Sequence, residues 1–151
     1  MTPGAGMPAL DSDLKELAAQ ALRRFGRLAL RVSGTSMLPA VRPSDVLHVR
    51  QCPIFQATPG DIVLFLRERR LYAHRVVARR GSTVVTQGDT IAEPDLAVSP
   101  AEFLGRVEHI ARRGALLLPP RSATFGAGLF RHSALARRIY GRALARTRAP
   151  A

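Results

Sequence analysis

Tryptophan is absent, and aromatic residues make up only 5% of the 151-residue chain. Platforms that stack single-stranded nucleic acid need several exposed aromatics, so this composition argues against that role. There is one cysteine, Cys52, so no disulfide can form within the chain. Its Cys52-Pro53 setting suggests no chemistry, and a structural role is expected. No stretch reaches the roughly 18 apolar residues of a membrane span. The opening Met1 to Pro8 has neither a basic nor an apolar signal-peptide segment. The expectation is a protein of the cytoplasmic side, soluble or resting on a membrane surface. Acidic residues are also scarce, 11 against 23 basic, for a formal charge of +12. Lys15 is the single lysine, which matters for the choice of catalytic base below.

What is present suits a folded domain. The hydrophobic fraction of 46% and the length allow one core of ordinary size. The charge is uneven, with nine arginines and no acid from Ala111 onward. Such a tail fits an anionic membrane surface or an acidic partner. Nucleic acid is disfavoured, because no helix-turn-helix or aromatic-basic pattern accompanies the arginines.

Periodicity divides the chain into three parts. Residues 1–26 form a lead-in and an amphipathic helix from about Asp11 to Phe25. Leu14, Leu17, Ala18, Ala21, Leu22 and Phe25 make its apolar face, Asp13 and Glu16 suit a cap, and Gly26 a stop. Residues 27–118 read as short strands: Leu28–Val32, Asp45–Arg50, Asp61–Leu66, Leu71–Val77, Ser82–Thr86, Phe103–Ile110 and Ala115–Leu118. Arg67–Arg70 suits a hairpin turn, and the close turn signals indicate a mainly β core of short, mostly antiparallel strands. Beyond Pro119-Pro120, residues 119–151 form a basic tail. Within it Ser133 to about Arg146 reads as a second amphipathic helix.

Candidate chemistry begins at Ser33-Gly34-Thr35-Ser36-Met37-Leu38-Pro39, a glycine turn that follows a strand and presents a serine. A serine hydroxyl needs a base to take its proton, and backbone N–H groups of such a turn can face an oxyanion. The one lysine lies upstream on a helix, which disfavours a Ser/Lys pair. Histidine remains, and His48 and His74 both lie on predicted strands. Asp89, Glu93 and Asp95 are candidates to orient the ring. Spacing alone decides neither choice.

These segments resemble, in order, the boxes of type I signal peptidases. Val32 to Pro39, with Gly34, Ser36, Met37 and Pro39, is similar to the serine box. Pro59-Gly60-Asp61-Ile62-Val63, His74-Arg75-Val76-Val77, Gly88-Asp89 and Gly105-Arg106-Val107 resemble the later ones. Bacterial members and the related SOS-type repressors carry lysine where this chain has His74. Archaeal and endoplasmic-reticulum members carry histidine there. The resemblance implies a Ser/His peptidase with Ser36 as nucleophile and His74 as base. Asp95, seven residues past Gly88, would complete the site, with Asp89 as a supporting carboxylate. It also implies oxyanion or substrate contacts at Gly34, Thr35 and Met37.

The family's transmembrane anchor would precede the serine box, where this chain has its amphipathic helix. Leader removal from a small precursor peptide is therefore the expected task. It requires no cofactor and no metal. The rival reading is an inactive peptide binder, or an arginine-rich adaptor that binds membrane or nucleic acid through its tail.

Overall fold

The computed structural model describes residues 7–123, and the side chains of residues 13–123. The helix expected at Ser133–Arg146 lies outside the described residues. Helix α1 spans Met7–Phe25, and seven strands follow: β1 Arg27–Arg31, β2 Val46–Gln51, β3 Ile62–Arg67, β4 Arg70–Arg80, β5 Thr83–Gln87, β6 Phe103–Arg112 and β7 Ala115–Leu117. All strand pairings are antiparallel, in the order β1-β2-β6-β3-β4-β5, with β7 beside β6. The architecture is mainly β, as the turn spacing predicts.

The pleat sends alternate side chains to opposite faces. Ile62 and Leu64 of β3 join the cluster under α1, with Leu47, Val49, Leu104, Val107 and Ile110. Val63 and Phe65 join a second cluster with Val76, Val84, Val98 and Phe103. Strand β3 is therefore buried on both faces. This accounts for its unbroken apolar run in place of an alternating one. Glu68 and Arg69 turn the β3–β4 hairpin, both at positive φ. Between β2 and β3 a short 3-10 turn, Ile54–Gln56, is capped by Arg79, whose Nη1 donates to the carbonyls of Ile54, Phe55 and Ala57. The sequence gives no sign of that long-range contact.

Two expectations about α1 require correction. The helix begins at Met7, four residues before Asp11, so Asp13 and Glu16 are interior and cap nothing. Pro8 fits a first turn, whose N–H groups lack helical partners in any case. Both carboxylates instead face Arg69 of the hairpin. The buried face also differs. Ala19 and Leu22 are fully buried against the sheet, while Leu14, Leu17 and Phe25 are exposed. Apolar spacing identifies the helix but cannot say which of its two apolar sides meets the sheet. No helix among the described residues is long and apolar enough to cross a membrane.

Candidate active site

Strand β4 mounts His74 in mid-strand, opposite Val63 of β3. The ring is buried and stands edge-on to Phe65 and Tyr72, at centroid distances of 6.1 and 5.8 Å. A rigid strand and two aromatic neighbours leave the imidazole little rotational freedom. Both ring nitrogens are engaged: Nε2 lies 3.1 Å from Oγ of Ser36, and Nδ1 lies 2.6 Å from Oδ2 of Asp95. An ionised carboxylate only accepts, so Nδ1 carries the proton and Nε2 offers its lone pair to the serine hydroxyl.

Ser36 lies in the loop after β1, and that loop is fastened at two levels. The backbone N–H and the hydroxyl of Thr90 both donate to the carbonyl of Ser36, at 3.0 and 3.1 Å. Met37 is buried beneath it and accepts the backbone N–H of Asp89 at its Sδ, 3.4 Å away. Gly88 sits directly under the serine, where a Cβ would come within 3.0 Å of the Ser36 carbonyl and 3.2 Å of its Cβ. Gly88 thus allows a close approach that any side chain would obstruct.

Asp95 is held just as firmly. Its N–H donates to the Thr86 carbonyl, and the Thr86 hydroxyl donates to its Oδ2 at 2.7 Å. Arg67 pins the following residues through the carbonyls of Leu96 and Ala97. Burial alone would raise the Asp95 carboxyl. The hydrogen bonds from His74 and Thr86, with the charges of His74 and Arg67, outweigh burial and hold it below its ordinary 3.8.

Asp89 has a different place. Its two oxygens accept Nε and Nη2 of Arg75, each at 2.8 Å, in a pair that is almost fully buried. Arg75 follows His74 on β4, so it points to the opposite face. Its Nη1 also reaches the carbonyls of Gly60 and Pro120. Asp89 therefore braces β4 behind the imidazole, while Asp95 occupies the orienting position at Nδ1.

Of the other histidines, His48 pairs in register with His109 across β2 and β6, and His132 lies outside the described residues. Glu93 is exposed. Thr86, Thr90 and Arg67 are supports that the sequence reading missed. They carry no motif, since each acts through a contact made only on folding.

Beside Ser36 and His74 lies a cavity of about 250 Å³. Leu30, Val32, Met37, Leu71 and Ala73 give it an apolar lining, with Lys15 and Arg31 as its cations. Gly34 also lines it, and Thr35 uses its carbonyl to accept the Thr90 hydroxyl at 3.3 Å. Among the described residues no group of three or more His, Cys, Asp or Glu side chains could hold a metal ion. The arrangement is chemically capable of deprotonating one serine beside an apolar cavity. No protein-family model matches the chain, and no curated protein matches it.

Proposed function

We propose that the chain is a serine endopeptidase of the signal-peptidase type, acting by acyl transfer through Ser36, His74 and Asp95. The carrying observation is the imidazole bridged between the Ser36 hydroxyl and the Asp95 carboxylate, with Nε2 facing the serine. In the first step Ser36 Oγ attacks a peptide carbonyl and His74 Nε2 takes its proton. Asp95 stabilises the imidazolium that results. The tetrahedral intermediate collapses, the C–N bond breaks, and His74 returns the proton to the departing amine. A water then gives a proton to His74 and attacks the acyl ester, the Oγ–C bond breaks, and His74 returns that proton to Ser36 Oγ as the acid leaves.

Among the described residues strand β1 lies at the edge of the sheet, and the serine loop continues from it. An extended peptide laid beside this segment would gain main-chain hydrogen bonds and lower a side chain into the apolar cavity. The fitting substrate is a leader or signal segment of a precursor peptide.

A fluorophosphonate probe, which phosphonylates activated serines with loss of fluoride, tests the assignment. Mass mapping should find the adduct on Ser36, with labelling lost in Ser36→Ala and in His74→Ala while circular dichroism shows both variants folded. An unlabelled folded chain, or an adduct elsewhere, would overturn it.

A further inference from the structure

A helix that packs on one sheet needs one apolar face, and α1 has two. At 3.6 residues per turn, Leu14, Leu17, Ala18, Ala21 and Phe25 fall within an arc of about 100°. Ala19 and Leu22, the residues that meet the sheet, lie about a third of a turn away. The first stripe faces outward: Leu14 is 57% exposed, Leu17 60% and Phe25 73%.

Unbalanced cations border this stripe at one end. At its C-terminal end Arg24 is exposed, with its guanidinium 5.7 Å from the centre of the Phe25 ring, and Arg27 follows exposed on β1. At the other end the exposed hairpin residue Arg69 meets Asp13 and Glu16, and with its exposed neighbour Arg70 balances these two acids. An outward apolar stripe with a basic end is the pattern of a helix lying in a lipid headgroup layer. A protein surface of comparable size would need acids opposite Arg24 and Arg27. An anionic bilayer supplies them along with an apolar interior.

We infer that α1 docks the protein on an anionic lipid bilayer through Leu14, Leu17 and Phe25, with Arg24 and Arg27 on headgroup phosphates. The inference stands whether or not Ser36 is catalytic.

The chain has no tryptophan, so Phe25→Trp places a single reporter in the stripe of the full-length protein. Vesicles of phosphatidylcholine with phosphatidylglycerol should shift its emission to the blue, and acyl-brominated lipid should quench it. Vesicles of phosphatidylcholine alone should do neither. In that background Leu14→Asp and Leu17→Asp should each weaken vesicle affinity on the order of tenfold, with circular dichroism reporting an intact fold. Sedimentation with vesicles without any change in emission would mean adsorption through arginines elsewhere and would overturn the inference. So would no binding at all, or a lipid-free blue shift that grows with protein concentration, which would identify a second copy as the occupant. The emission and quenching results decide the matter even if an aspartate variant fails to fold.

Discussion

The carbonyl of Ser36 accepts both the backbone N–H and the hydroxyl of Thr90, which ties the candidate nucleophile to the segment that leads to Asp95. Gly88 begins that segment and passes under the serine. A methyl group there would stand 2.7 Å from Cγ1 of Ile91 as well as 3.0 Å from the Ser36 carbonyl. The side chain of Ile91 can yield, but the Ser36 backbone must move for the rest. Gly88→Ala should therefore slow probe labelling of Ser36 by about 10- to 100-fold, since sub-ångström misplacement of a reacting group is costly. Labelling rate and melting temperature measured together check this. A wild-type rate would mean that the serine position does not depend on this contact.

Asp95 and Asp89 should separate cleanly in their effects. Asp95→Asn leaves no acceptor charge at Nδ1 and permits the wrong tautomer, so labelling of Ser36 should fall by about 10³- to 10⁴-fold. Asp89→Asn instead leaves the Arg75 guanidinium buried without its counter-charge. That should cost about 3–5 kcal/mol of stability, with labelling of the folded fraction within a few-fold of wild type. Denaturant unfolding and labelling rates, measured on both variants, provide the comparison. Reversed outcomes would exchange the roles of the two carboxylates.

Much of the fold is legible in the sequence because strand signals here are local. The β3 run and the Arg67–Arg70 hairpin both lie in the expected places, and β4 extends only a few residues further. The choice of His74 over His48 is not local: both lie on strands, and only the order of the boxes singles out His74. What the sequence does not reveal is long-range. Thr86 and Thr90 matter only because β5 and its following loop fold against Asp95 and Ser36. The choice between Asp89 and Asp95 rests on which face of β4 each meets, a matter of pleat and loop path. The burial of α1 departs from the expected face because Leu14, Leu17 and Phe25 obey helical spacing while facing away from the sheet. Periodicity reports amphipathicity, not the identity of the partner.

Cys52 should react slowly for a thiol. Burial pushes it above its ordinary 9.0, and the nearby charges of Arg106 and Arg50 only partly oppose this. Since the thiolate is the nucleophile, alkylation by iodoacetamide at neutral pH should run several-fold slower than for a free cysteine, and should accelerate as pH rises. Denaturant should abolish the difference. Fast alkylation of the native chain would contradict the half-buried placement of Cys52 against the second core cluster.

Acid should release the loop behind Asp95 through Glu102. Hydrogen bonding to Arg67 is the main reason that this carboxyl is held down to about 2 from 4.5; burial opposes it, and the Ser99 N–H and hydroxyl add to it. A depressed carboxylate stabilises the fold fully above its unfolded value and loses that contribution as pH falls through its folded value. The Glu102 contribution is therefore complete above 4.5, shrinks on acidification and is gone near 2. Glu102→Gln should lower stability at neutral pH by about 2 kcal/mol, the scale of one charged hydrogen bond. In a chain of this size that corresponds to roughly 4–8 °C in Tm. Because wild type loses what the variant already lacks, their melting curves should converge as pH falls from 4.5 towards 2. Arg67 also holds the carbonyls of Leu96 and Ala97, so the same substitution should loosen the Asp95 segment and raise amide exchange there at neutral pH. A Tm gap that stays constant down to the acid limit would show that Glu102 acts through packing and not through its charge.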